Sequence, residues 1–315
     1  MAFTNTTTLA DQVQAAFETT AYFALRSQPL FEMVADVRST SQTHNGSSVK
    51  FTFYDDMDQQ ITALGEETSP TAVALTDQQV NVPLAEYGAA VNTTALVRGT
   101  SFLNVDADAA NIVGYNMADS LDKIVSNVAN AGDNVIHVGQ TSRGAIVAAN
   151  IYDAQHGRKS VARLRVRKAP GWENGNYMAI IHPDVSYDLR NQAPTAGVTD
   201  IINYQVLQNG AAIRAGSIGT FNGIEYIENP RAGLIANGGA SNVDVYQTLI
   251  CGRQGLAKAF SRAPGFGSEP SIVQGPVTDI LRRFHPIGWY HLVGYAIFRQ
   301  ASLERVESSS SIGAN

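Results

Sequence analysis

"GNYMAIIHPDVSYDLR", residues 175–190, holds a short apolar run, 178–181, that ends in His182, Pro183 and Asp184. A histidine two residues from a carboxylate, at the end of a buried strand, is where an enzyme can keep a base and its orienter. The same residues have a plainer reading. His-Pro ends a strand because proline cannot continue the hydrogen-bond ladder, and Asp184 can then cap a helix formed by "VSYDLR". Catalysis would need a nucleophile or substrate pocket, and no partner motif exists in the chain. The structural reading is therefore preferred, and an enzyme using His182 and Asp184 is kept as the alternative.

Outward from this corner the chain is mixed α/β. "YMAIIHP" reads as a strand, "DVSYDLR" and "VTDIINYQ" as short helices, "TFNGIEYIEN" as a turn and strand, and "VDVYQTLICG" as another strand. Short elements alternating with glycines suit a compact mixed domain. The closing "HPIGWYHLVGYAIFRQASLERVESSSSIGAN" reads as a hairpin or long bent strand followed by a frayed polar tail. Upstream, a helical stretch is expected after Thr141. The basic "KSVARLRVRKA" follows, with Lys159, Arg163, Arg165, Arg167 and Lys168. It can be a nucleic-acid or membrane patch, but a helix with Val161 and Leu164 inward and its cations in water is the preferred reading.

The clearest helix is "DADAANIVGYNMADSLDKIVSNVANAG". Val113, Met117, Leu121, Ile124 and Val128 follow helical spacing, with Ile112 and Val125 widening the stripe. Asp106 or Asp108 can cap its start and Gly132 can close its end. About 25 residues at 1.5 Å rise make a rod of about 35–40 Å.

Nearer the N-terminus, Val49, Phe51 and Phe53 alternate with Lys50, Thr52 and Tyr54, and Val80, Val82 and Leu84 are in phase, so two half-buried strands are expected. Pro83 places the second at an edge. Between them lie mostly polar residues, including Asp55, Asp56, Asp58, Glu66 and Glu67. A bare two-stranded ribbon is marginal in water, so this projection needs its own body or a neighbour to lie on. Residues 1–47 read as an arm around one short helix, with Leu9, Val13, Phe17 and Phe23 on its stripe.

The whole chain has 315 residues, 44% apolar and only 16% charged, with net charge −6. A typical soluble chain carries about 25% charged residues, so much surface here is neutral polar or apolar and suited to contacts with other chains. The negative balance argues against a dedicated DNA binder. Cys251 is the only cysteine, so no intrachain disulfide can form. The N-terminus lacks the pattern of a signal peptide, and no apolar run approaches the ~20 residues that span a bilayer. The product is read as soluble and made in a cytoplasm.

Catalytic and cofactor motifs are missing: no Gly-Lys pair for a phosphate loop, no H-E-x-x-H and no C-x-x-C. "GSIG" lacks the flanks of a nucleophile elbow, and "PGFGSEP" lacks the third glycine of a dinucleotide loop. His285 and His291, six apart with Gly288 between them, are the closest histidine pair on presumed β structure. No cofactor and no metal is expected.

Several stretches together resemble the major capsid proteins of tailed bacteriophages, whose fold is shared with the herpesvirus capsid floor and with encapsulin shells. They are residues 177–184 and 187–189, then "GSIGTFNGIEYIENPRA" and "GPVTDILRRFHPIGWYHLVGYAIF", in the family's order over nearly the whole chain. The resemblance implies an α+β fold with an N-terminal arm (1–47), an extended β-hairpin loop (48–84), a peripheral domain on a long spine helix (85–140 and 261–315) and a mixed α/β axial domain (141–260). It implies a structural protein, not an enzyme, that self-assembles as hexamers and pentamers into an icosahedral shell around double-stranded DNA held without sequence specificity. Val49, Phe51, Phe53, Val80 and Val82 of the extended loop would touch a neighbouring subunit. Scaffolding, portal and decoration proteins are the further partners implied, with no membrane. The virion capsid is the expected location, after synthesis in the bacterial host cytoplasm. No scaffolding segment is expected ahead of the loop, and with the nearby lysine, Lys50, at the loop base and not its tip, covalent cross-linking of shells is not expected. An encapsulin-like cargo compartment is the alternative within the same fold.

Overall fold

Local chemistry sets most element boundaries in the computed structural model, which describes residues 29–38, 46–101 except 68 and 71, 104–172, 175–191, 217–261, and 267–312 except 276 and 278. The stripe of Leu9, Val13, Phe17 and Phe23 and the helix expected at 198–205 lie outside these residues. A 3₁₀ turn, Phe31–Val34, leads into β1 (Ala35–Arg38). The two alternating runs form β2 (Ser48–Tyr54) and β3 (Asp77–Pro83), followed by β4 (Ala85–Thr94). Thr94 caps α1 (Ala95–Thr100), its hydroxyl accepting from the Val97 amide at 3.3 Å. In α2 (Val105–Asn130) the capping acceptor is Asn104, whose Oδ1 takes the Ala107 amide at 3.4 Å. Asp106 and Asp108, expected as caps, sit in the first turn, where negative charge still favours the helix dipole.

After β5 (Val135–His137), Asp153 caps α3 (Ala154–Val166), accepting from the His156 amide at 2.9 Å. β6 (Tyr177–Ile181) runs into α4 (Pro183–Arg190), with proline at the first helical turn. β7 (Ser217–Phe221) and β8 (Ile224–Glu228) are joined by Asn222-Gly223. Both of those residues have positive φ, 52° and 80°, as a tight two-residue hairpin turn requires. β9 (Gly233–Ile235), β10 (Val245–Cys251), β11 (Leu256–Phe260), β12 (Ser271–Gln274), β13 (Phe284–Ile297) and β14 (Leu303–Ser308) complete the described elements.

The chain divides into two units. The smaller contains residues 88–117 and 271–290 among those described. In it β12 pairs antiparallel with the first half of β13, from Gln274↔Ile287 to Ser271↔Tyr290. Buried Trp289 donates from Nε1 to Asn116 Oδ1 at 3.0 Å. The Ala95 amide donates to the Arg283 carbonyl at 2.8 Å, which roots α1 beside the 279–284 turn.

The larger unit is built on a mixed sheet in the order β5-β14-β10-β6-β8-β7, with β9 beside β10. β6 and β8 run parallel, as do β5 and β14; β10 is antiparallel to both β6 and β14. Val161 and Leu164 of α3 and Val185 and Leu189 of α4 join Ala179, Ile181, Ile224 and Ile250 in one core. Burial of side chains of this size contributes about 1.5–3 kcal/mol each before chain entropy is subtracted. In the same unit β1 pairs parallel with β11, and β11 pairs antiparallel with the second half of β13.

Three expectations change. Residues 141–153 are not helical. They hold a 3₁₀ turn, Arg143–Ala145, and an isolated bridge at Ile151, because the Asn150 side chain accepts the Val147 amide and helix starts only at the Asp153 cap. The α2 stripe keeps Val113 and Leu121 buried, but Met117, Ile124 and Val128 are half-buried. Ala109, Val125 and Ala129 are buried on this helix together with Asp122 and Ser126, whose polar groups find partners. The third change is the tail. "LERVES" is not frayed: it is β14, buried along its length between β5 and β10. Its carboxylates are neutralised largely from outside the strand, Glu307 also by Arg305 within it. Arg163 donates to Glu304 at 2.9 Å and Arg167 pairs with the same carboxylate. Arg143 grips Glu307 through two bonds of 2.9 and 2.6 Å.

Candidate functional site

His182 was one candidate, and its surroundings answer the question its sequence raises. The residue is the N-cap of α4, and its Nδ1 accepts the Asp184 amide at 3.3 Å. Burial lowers its pKa, outweighing the attraction of Asp184 and Glu228 for the charged form. A neutral ring accepting at Nδ1 agrees with that direction. The cap is therefore His182 itself, not Asp184. The Asp184 carboxylate instead accepts the Tyr246 hydroxyl at 2.7 Å, and the Tyr246 ring lies 4.9 Å from the imidazole, centroid to centroid. The nitrogen that would act as a base is held by backbone, and its partner carboxylate is held by a phenol. Among the described residues no group of three or more His, Cys, Asp or Glu side chains could hold a metal, and no helix is long and apolar enough to cross a membrane.

The β2–β3 ribbon is the other candidate. Its register runs from Ser48↔Pro83 to Tyr54↔Asp77. Val49 and Val82 face one another and are buried against Ala259 of β11, with Phe51, Val80, Leu84 and Ala296 packed around them. The Phe51 and Phe53 rings meet Phe298 edge-on at 6.3 and 5.7 Å, and the Arg299 guanidinium lies 5.4 Å from the Phe53 ring. The root of the ribbon is thus clamped to the chain's own larger unit. Val49 and Val82 are spent there and are not free to face a neighbour. Phe51, Phe53 and Val80 keep only part of their surface. The clamp needs Gly294: a Cβ there would stand 2.1 Å from the Pro83 carbonyl oxygen.

Beyond the root the picture reverses. The Asp55 amide donates to the Thr76 carbonyl at 3.1 Å, and the Gln78 side chain donates to the Asp55 carboxylate at 3.0 Å, closing the ladder. Past that closure Met57, Ile61, Leu64, Val73 and Leu75 are all exposed, Ile61 to 91%. Sequence reasoning read this segment as a polar connection and missed these residues. The signal available was apolar residues recurring where no strand or helix could bury them. A second exposed apolar group lies in the smaller unit: Leu96 and Val97 on α1, with Ile280, Leu281 and Phe284 beside it. Isolated exposed apolar side chains are ordinary, but grouped ones mark surfaces that meet other molecules.

Residues 6–304 match the protein family described as phage capsid protein. No curated protein shows significant sequence similarity to the chain. Solved structures share its fold. The capsid of Ralstonia phage GP4 superposes with TM-score 0.79 at 12% identity, over 96% of this chain and 97% of that one. The cyanophage Pam1 capsid gives 0.72 at 14%, over 96% and 98%. The head of Helicobacter pylori bacteriophage KHP40 gives 0.72 at 9%, over 99% of both. The capping role of His182, the exposed ribbon tip and the family match agree: the chain belongs to the phage capsid protein family, as a structural component of the virion shell and not an enzyme.

Proposed function

We propose that this chain is a major capsid subunit that assembles through its β2–β3 hairpin, closing as hexamers and pentamers into an icosahedral shell around double-stranded DNA. Residues 48–84 act as the extended loop, clamped at the root and reaching over an adjacent copy with the segment between Tyr54 and Asp77. Residues 1–47 serve as the arm. Residues 85–140 with 261–315 form the peripheral domain, and 141–260 the axial domain. Scaffolding, portal and decoration proteins join as separate partners.

The observation that carries this reading is the contrast along one ribbon. Its root is buried in the chain's own core, while its tip exposes Met57, Ile61, Leu64, Val73 and Leu75 with no covering element among the described residues. Burying apolar surface gains about 25 cal/mol per Å² before ordering costs. Many such contacts, each weak enough to be corrected, close a stable shell. The test is the double variant Ile61→Asp/Leu64→Asp. Both side chains are exposed, so the subunit should fold with an unchanged melting midpoint and fail to form shells in electron micrographs. Normal particles from this variant would remove the tip from assembly.

A further inference from the structure

We propose that the exposed face of α3 is the surface that receives the acidic hairpin tip of a second copy, forming a salt-sensitive latch between subunits. This rests on the reading of the hairpin as the assembly element and adds the identity of its seat.

Helix α3 is two-sided. Gly157, Ser160, Val161 and Leu164 are buried, while Arg158, Lys159, Ala162, Arg165 and Val166 are exposed on the other face. Two of its arginines are already used: Arg163 and Arg167 neutralise Glu304. Arg158, Lys159, Arg165 and the following Lys168 form no ion pair with a carboxylate among the described residues. Between these cations stands Val166, 83% exposed. Four solvated cations around an exposed valine form a positive surface patch that can attract an acidic one.

The hairpin tip has the opposite composition. From residue 55 to 76 there is no lysine or arginine. Asp55 is engaged by Gln78, but Asp56, Asp58, Glu66 and Glu67 are exposed, and Ile61 and Leu64 lie between the two acidic pairs. Apolar centre and charged flanks therefore recur on both surfaces with signs reversed. Two tips repel one another, and so do two α3 faces. Tip on α3 is the pairing in which both charge sets are compensated and both apolar centres covered. The two surfaces belong to the same larger unit, and each is exposed there. The ribbon root is fixed to β11 and Phe298. Within one chain no ion pair joins the tip carboxylates to the α3 cations among the described residues, so the contact is assigned to different copies, a head-to-tail interface able to close a ring. The rival occupant of a basic face is nucleic acid. The net charge of −6 and the presence of the complementary acidic partner in every copy favour the protein tip.

The experiment is a charge swap. Arg158→Glu/Arg165→Glu alters exposed side chains only, and its melting midpoint should match the parent. Shell yield, read by light scattering and sedimentation in low salt, should fall by about tenfold. In the parent the assembly rate should drop as sodium chloride rises from about 50 to 500 mM, because exposed charge pairs are screened. Asp56→Lys/Asp58→Lys alone should also fail, and combining both pairs of changes should restore shells. Parent-like assembly of the α3 variant overturns the proposal. So does normal empty-shell assembly with reduced binding of a short DNA duplex, which would give this face to nucleic acid. Failure of the charge swap to rescue, while Ile61→Asp/Leu64→Asp still blocks assembly, overturns α3 as the seat and leaves the hairpin reading standing. Normal assembly of the Ile61/Leu64 variant overturns the hairpin reading itself.

Discussion

Glu307 is 0% exposed, yet it is charged. Burial alone would raise its pKa, but hydrogen bonds from Arg143 and Gln247 and the charge of Arg305 outweigh burial and hold it below 4.5. Such a group stabilises the fold fully above its unfolded pKa, and its contribution drains away as pH falls through the folded value. Glu307→Gln should lower unfolding free energy at neutral pH by roughly 3 kcal/mol, since it leaves buried arginine charge uncompensated. It should also flatten stability against pH below 4.5, in denaturant titrations of the unassembled subunit. His291 behaves oppositely to a paired histidine. Burial and the nearby Lys258 charge, partly offset by Glu32, bring its pKa down to about 4. Between 6.5 and about 4 the unfolded chain binds a proton that the folded chain refuses, so stability falls as pH falls across that window. The loss approaches about 3 kcal/mol at its acid end. His291→Gln should show a shallower slope over the same range, keeping only what other groups such as His182 contribute. An equal slope in the variant would assign the pH dependence to another group.

At the scale of elements, the ribbon root is held by close packing across a glycine. Gly294 on β13 lies opposite Ala259 on β11, and a methyl there would collide with the Pro83 carbonyl and press on Val82 Cγ1 at 3.0 Å. Gly294→Ala should therefore cost about 2 kcal/mol and loosen the ribbon. The expected readout is a lower urea midpoint together with faster proteolysis between residues 55 and 76. A variant with the parental midpoint would mean the root tolerates displacement. Alternation predicted β2 and β3 correctly because a strand with one buried face repeats every two residues. The Asn222-Gly223 turn was legible because few other residue pairs accept two positive φ values in a row. β14 was illegible for an equally physical reason. A run of Glu, Arg and Ser reads as solvent-facing unless the arginines that neutralise it are known, and Arg143, Arg163 and Arg167 lie far away in the chain. The helix expected after Thr141 failed because local side-chain bonds at Asn150 and Asp153 competed with helix propagation.

For the whole molecule, the proposed assembly rests on apolar side chains left exposed after folding, in a chain where only 16% of residues are charged. Aspartate substitution of Ile61 and Leu64 belongs to this scale because the subunit alone should not register it; only the shell does. Substitutions at the ribbon root do not isolate assembly in this way: Phe51→Asp or Phe53→Asp would disturb packing on Phe298 within one subunit, so loss of shells in those variants would mix folding with assembly. By itself the sequence determined the fold class, the long helix, the ribbon and the absence of catalytic motifs. Periodicity, turn chemistry and family motifs are properties of neighbouring residues and survive without coordinates. Only the tertiary structure decided that Val49 and Val82 turn inward while the tip stays bare, that His182 caps a helix, and that the polar tail is a core strand. Each of those depends on which distant groups arrive to fill a cavity, accept an amide or neutralise a carboxylate, and burial of that kind is a property of the packed chain.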